Sequence, residues 1–138
     1  MIGFFDGASR GNPGMAGAGC CMIDDNMDVV WEYAKYLGVK TNNEAEYAAL
    51  IALIAGARSR GLDEIEIRGD SKLIVSQVNR EWKINKPHLR VLAKEAWDLM
   101  KGMKVNLVWI PRDENHLADK LSNRAIDERG DERNEQSV

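Results

Sequence analysis

Four acids stand where a soluble domain would not ordinarily place them. Asp6 follows the apolar run Ile2-Gly3-Phe4-Phe5, and a strand interior is a poor site for aspartate. Glu46 lies beside Ala45, Ala48 and Ala49, with Leu50 and Leu53 four and seven residues on. That spacing puts it on or near the apolar stripe of a helix. Asp70 closes the alternating run Glu64–Gly69, and Asp119 sits within Leu117-Ala118-Asp119-Lys120-Leu121. Each acid alone can be explained as a cap or as half of a buried ion pair. For Asp70, which precedes Ser71 and a helix, capping is as good an account as chemistry. Four such acids meeting at one end of a sheet would repel one another and destabilise the fold. A divalent cation removes that conflict. Oxygen ligands without cysteine or clustered histidine point to Mg²⁺ or Mn²⁺ over Zn²⁺. Two such ions ~4 Å apart clamp the attacking water and the leaving oxygen in phosphodiester hydrolysis. One generates the nucleophile by acidifying water, and the other neutralises charge on the leaving 3′-oxygen. No covalent enzyme intermediate is needed.

The elements that must position these acids can be read along the chain. Ile2–Ser9, Ala16–Asp24 and Val29–Leu37 read as three strands joined by short turns, the first turn being Arg10-Gly11-Asn12-Pro13-Gly14. Three strands so connected suggest an antiparallel meander. Thr41-Asn42-Asn43-Glu44 matches a capping box and starts a helix that ends near Arg60-Gly61. Glu64–Gly69 is a fourth strand, Ser71–Asn79 a short helix and Pro87–Met100 another. Lys104–Ile110 is a fifth strand, and Asp113–Asp127 a last helix. The order βββαβααβα predicts an α/β fold, a mixed five-stranded sheet flanked by helices.

Composition narrows the function. The 138 residues suit one domain, and 44% hydrophobic with 30% charged residues suits a globular core rather than disorder. The formal charge is −3, unlike a plain basic nucleic-acid coat protein. Residues 127–138 hold five acids and two arginines and so carry the whole −3, while residues 1–126 sum to zero. The expectation is a catalytic domain over 1–126 and a charged, disordered tail over 127–138. Residues 72–104 hold eight bases against three acids, a local +5. Cys20 and Cys21 are adjacent, and strand neighbours point to opposite faces, so a bridge between them is not expected. Without a basic leader or an apolar run of ~20 residues, the expected location is the cytosol, with no membrane partner.

Taken jointly, Phe5-Asp6-Gly7-Ala8-Ser9-Arg10-Gly11-Asn12-Pro13-Gly14, Thr41-Asn42-Asn43-Glu44-Ala45-Glu46, Gly69-Asp70-Ser71 and Asn115-His116-Leu117-Ala118-Asp119 resemble type 1 ribonuclease H. Order, spacing and predicted elements agree over roughly residues 1–126, although each piece alone is weak. The resemblance implies the ribonuclease H-like fold. It also implies two Mg²⁺ ions, with Mn²⁺ as substitute, held by Asp6, Glu46, Asp70 and Asp119. The implied reaction is hydrolysis of the RNA strand of an RNA/DNA hybrid, leaving 5′-phosphate and 3′-hydroxyl ends. Asn12, Asn42 and Asn43 match minor-groove contacts to the hybrid, and Thr41 and Asn12 match positions near a DNA-strand phosphate. Contacts to 2′-hydroxyls are the physical means of telling RNA from DNA. Ser71 joins the substrate-binding set. The alternative for Thr41 is capping, and for Asn12 turn geometry.

Two departures from the family pattern stand out. Many members carry a histidine in a flexible loop before the last helix, but here the connection is Pro111-Arg112-Asp113-Glu114. Arg112 is placed to reach a phosphate, while His116 has a surface helical residue as its plainer reading. The long basic protrusion of some members is reduced to Asn79–Lys86. There Trp82 and Lys83 offer a small stacking and cationic surface for the DNA strand, with Trp82 packed between helices as the alternative. A monomer acting on RNA/DNA hybrid is expected. Competing readings are a same-fold nuclease acting also on double-stranded RNA and a non-catalytic hybrid-binding module. A nucleotide-binding domain is disfavoured, since no GxGxxG or GxxxxGK[ST] follows a strand.

Overall fold

The computed structural model describes residues 1–130. Its elements are β1 (Ile2–Arg10), β2 (Gly14–Ile23), β3 (Val29–Lys40), α1 (Asn42–Ser59), β4 (Glu64–Gly69), α2 (Lys72–Val78), α3 (Pro87–Met100), β5 (Lys104–Trp109) and α4 (His116–Gly130). A single turn of 3₁₀ helix, Arg112–Glu114, precedes α4. The sheet order is β3-β2-β1-β4-β5. The first three strands pair antiparallel, and β4 lies parallel to both β1 and β5. The expected mixed sheet and element order are therefore present.

Two faces of the sheet receive different helices. Ala18, Cys20 and Met22 of β2 join Phe5, Ile65 and Ile67 in one core with Leu50, Leu53 and Ile54 of α1. The alternate β2 residues meet α4. A Cβ on Gly17 would lie 2.4 Å from the Ser122 carbonyl oxygen, and one on Gly19 the same distance from the Ser122 nitrogen. Those small residues let α4 rest on strand backbone. Cys20 and Cys21 are buried free thiols on the two faces.

Helix starts follow their caps. Thr41 Oγ1 accepts from the Glu44 N–H at 3.2 Å while Glu44 Oε1 accepts from the Thr41 N–H at 3.0 Å, a reciprocal capping box. Ser71 Oγ accepts from the Ile74 N–H at 3.2 Å and caps α2. The last helix begins later than the sequence pattern suggests. Asn115 leaves helical geometry (φ −115°, ψ 37°), its side chain fully buried, and it divides the 3₁₀ turn from α4. The expected tail enters the described structure only at residues 127–130, which continue α4. The rest of that expectation, residues 131–138, lies outside the described residues. Among the described residues no helix is long and apolar enough to cross a membrane.

Candidate active site

Strand pairing places the first two acids. Phe5 is in register with Gly69 across β1 and β4, so Asp6, midway along β1, stands beside Asp70 just past the end of β4. The carboxyl ends of parallel strands are where open α/β sheets bind ligands. Gly69 cannot carry a side chain, because a Cβ there would lie 2.3 Å from the Phe5 ring. Asp6 is also in register with Gly19, over which α4 lies, and this brings Asp119 to the same place. Glu46 arrives from the first turns of α1, which approaches so closely that a Cβ on Gly7 would lie 2.3 Å from the Ala45 carbonyl carbon and the Glu46 nitrogen.

Asp6, Glu46 and Asp70 each offer a carboxylate oxygen within 4.8 Å of the others. Asp119 lines the same cavity, with Asn42, Asn43, Ser71 and Arg112. Asp6 and Glu46 are each 6% exposed. Burial pushes the Asp6 carboxyl from 3.8 up to about 7; the neighbouring Glu46 carboxyl opposes the rise, and the charges of Asp70 and Asp119 add to it. Burial, then Asp6, holds the Glu46 carboxyl well above the carboxylate range, although the Gly7 N–H pulls the other way. That N–H donates to Glu46 Oε1 at 2.6 Å, while Glu46 Oε2 is buried with no hydrogen-bond partner. A buried orphan oxygen on one of three clustered carboxylates fits the donor set of a hard divalent cation, which takes oxygen ligands and compensates their charge. These acids could hold a metal ion.

Several supporting groups were not singled out from sequence. Asn115 Nδ2 donates to Asp70 Oδ2 at 3.0 Å and to the Phe5 carbonyl at 2.9 Å. It thus ties an acid to the strand that carries Asp6. The Trp109 indole N–H donates to the Asp70 carbonyl at 3.1 Å, and Lys72 Nζ stands 5.8 Å from its ring centre. With Ser71 serving as the cap of α2, the Asp70 carboxylate is left for the cavity.

The remaining expected residues divide. Asn12 Oδ1 accepts from the Asn42 N–H at 3.1 Å, fastening the β1–β2 turn to the start of α1. Thr41 is the helix cap. Trp82 and Lys83 do not reach the acid cavity. They line a separate open groove with Arg80, Ile84, Arg90 and Trp97. The residue packed between α2 and α3 is Trp97, whose indole N–H donates to the Val78 carbonyl at 2.9 Å and whose ring lies 3.8 Å beneath the Arg80 guanidinium. Trp82 is 47% exposed. His116 is exposed at the start of α4 and does not line the acid cavity.

A five-stranded mixed sheet of this order, with acids from β1, α1, the end of β4 and the last helix converging beside its central strand, defines the ribonuclease H class of fold. Residues 4–125 match a family described as reverse transcriptase-like. Ribonuclease HI of Halobacterium salinarum is 42% identical over 126 residues, 91% of this chain and 63% of that protein. The crystal structure of RNase H1 from the same archaeon matches with TM-score 0.89 and 41% identity, covering 92% of this chain and 97% of that one. LC11-RNase H1, solved in complex with RNA/DNA hybrid, matches with TM-score 0.87 and 36% identity over 92% and 96% of the two chains. The bifunctional protein Rv2228c of Mycobacterium tuberculosis is 41% identical over 124 residues, 88% of this chain. The chain belongs to the ribonuclease H family, in its type 1 branch. It spans 63% of the length of the Halobacterium relative and 34% of the mycobacterial one.

Proposed function

We propose that this chain is an endoribonuclease that hydrolyses the RNA strand of RNA/DNA hybrids, leaving 5′-phosphate and 3′-hydroxyl ends. The observation that carries the reading is the cluster of buried Asp6 and Glu46 with half-buried Asp70, and its unpartnered Glu46 oxygen. Those acids, with Asp119, would hold two divalent cations, Mg²⁺ with Mn²⁺ as substitute. When bound, such ions supply an acidified water and charge neutralisation at the scissile phosphate. The chain's own residues do the rest. Asn115 and the Gly7 N–H fix the orientation of Asp70 and Glu46. Asn42, Asn43 and Ser71, on the cavity wall, would donate and accept toward 2′-hydroxyls of the RNA strand, which is how a protein separates RNA from DNA. Asn12 acts through its hold on Asn42, and Thr41 through the cap that sets the Asn42-Asn43 backbone. Arg112 would contact a phosphate, and Trp82 with Lys83 would meet the DNA strand further along the duplex. The proposed acting form is a monomer.

The test is cleavage of labelled RNA/DNA hybrid, double-stranded RNA and double-stranded DNA, each with Mg²⁺, Mn²⁺ or EDTA. Hybrid cleavage that requires a cation and disappears in a folded Asp70→Asn variant is expected. Cleavage that survives EDTA would sink the reading. Cutting of double-stranded RNA alongside hybrid would broaden the substrate class while leaving the chemistry in place.

A further inference from the structure

Asp119 is gripped by an amide one turn further along its own helix. Asn123 Nδ2 donates to Asp119 Oδ1 at 3.2 Å and to the Asp119 backbone carbonyl at 3.0 Å. The other end of the amide, Oδ1, accepts from Arg10 Nη2 at 3.4 Å. Arg10 stands at the end of β1, 113 residues away in sequence. Its guanidinium pairs with Asp127 Oδ1 at 2.7 Å, one more turn along α4. A continuous line therefore runs Asp127, Arg10, Asn123, Asp119. Its polarity is set by chemistry. A guanidinium can only donate, and an ionised carboxylate can only accept. The amide satisfies both in one orientation alone, with oxygen toward Arg10 and NH₂ toward Asp119. The reversed amide would set donor against donor and acceptor against acceptor.

We propose that Asn123 and Arg10 are positioning residues for Asp119. Asn123 holds one carboxylate oxygen, leaving Oδ2 for a divalent cation, and Arg10 locks the amide in the orientation that does so. Asp127 holds Arg10 in place by pairing with its charge. Of the two, Asn123 acts directly on the acid and Arg10 acts through Asn123. This rests on the reading of the cavity as a cation-dependent hydrolytic site. Both residues line that cavity, and neither position stood out in the sequence.

The experiment compares Asn123→Ala, Arg10→Ala, Arg10→Lys and the double alanine variant with the parent chain. Arg124→Ala serves as control, since among the described residues it breaks the Arg124–Glu128 pair on the same helix. Calorimetry of Mn²⁺ binding to the substrate-free protein is the first readout, and steady-state kinetics on RNA/DNA hybrid the second. Asn123→Ala is expected to weaken Mn²⁺ several-fold and lower kcat about tenfold, as loss of one hydrogen bond to a charged group would, with KM within about twofold. Arg10→Ala should move both readouts the same way by less, Arg10→Lys should restore them, and the double variant should be no worse than Asn123→Ala. Parent-like Mn²⁺ affinity in Asn123→Ala would overturn the proposal. So would a raised KM with unchanged kcat in Arg10→Ala, which marks a phosphate contact, or multiplicative losses in the double variant. Should the parent chain fail to cleave hybrid, the hydrolytic reading falls, while the substrate-free calorimetry still decides the role of Asn123.

Discussion

Without a cation, the native chain favours the protonated form of Asp6. Its carboxyl is raised from 3.8 to about 7 on folding, chiefly by burial. The folded state therefore binds a proton that the unfolded state has released. Stability from such a group is complete below the unfolded value and is lost as pH rises through the folded one. Integrated between about pH 5 and about pH 8.5, one such carboxyl removes about 3 kcal/mol from the cation-free protein. For a domain of this size that is on the order of 10 °C in Tm. Asp6→Asn deletes the titration while keeping the side-chain shape. The assay is thermal unfolding by circular dichroism in EDTA at both pH values, for the parent chain and the variant. The parent should lose on the order of 10 °C more than Asp6→Asn between the two pH values, because the variant lacks the Asp6 titration and is also freed of the part of the Glu46 rise that Asp6 causes. Glu46 is raised as well and adds in the same direction wherever it ionises. Added Mg²⁺ at the higher pH should restore the parent and have little effect on the variant. Equal pH slopes in EDTA would refute the reasoning, since the Asp6 charge would then not oppose folding.

Four further outcomes are expected. Gly7→Ala forces a methyl against the α1 backbone 2.3 Å away and should cost about 1–3 kcal/mol, read as a lower urea midpoint at unchanged slope. Asn115→Ala leaves the Phe5 carbonyl and an Asp70 oxygen without their donor, and should cost about 1–3 kcal/mol in the same assay. Trp82→Ala and Lys83→Ala should each raise KM for hybrid while kcat holds, and Lys83→Ala should reduce the salt slope of binding by about one; a fall in kcat alone would remove that groove from the substrate path. EDTA should weaken hybrid affinity, measured by fluorescence anisotropy, as well as stop cleavage; unchanged affinity would mean that the acids do not face the duplex.

Local signals carried the parts of the fold that local chemistry determines. Thr41 and Glu44 lie three residues apart and each side chain bonds the other's backbone, so the start of α1 was legible as a capping box. The meander was legible because its turns are short and its strands consecutive. Asp70 was ambiguous in sequence between capping and chemistry, and only the Ser71 cap of α2 settles which residue caps. The break before α4 was not legible at all. An asparagine inside a helical pattern looks ordinary until its partners are known, and those of Asn115 lie 110 and 45 residues away. The same holds for the clamp on Asp119, whose outer member comes from the opposite end of the chain. Trp82 was open on paper between a surface for the DNA strand and packing between helices. Trp97 packs because its indole N–H finds the Val78 carbonyl, which leaves Trp82 outward.

The charge balance of the domain and the crowding of its acid cavity express one constraint. Residues 1–126 are neutral in sum, with a local +5 on residues 72–104. The acid cavity would repel a phosphate backbone for the same reason that its members repel one another, and burial makes both effects larger. Neutralising the acids by protonation removes the repulsion and also removes the ligands. A divalent cation removes it while leaving the oxygens engaged. The same ion thus relieves the cost of folding around Asp6 and Glu46 and turns a cavity that rejects a polyanion into one that can receive it. Folding stability at high pH and affinity for hybrid are therefore expected to follow one cation-binding curve, and separate midpoints would mean that different sites govern them.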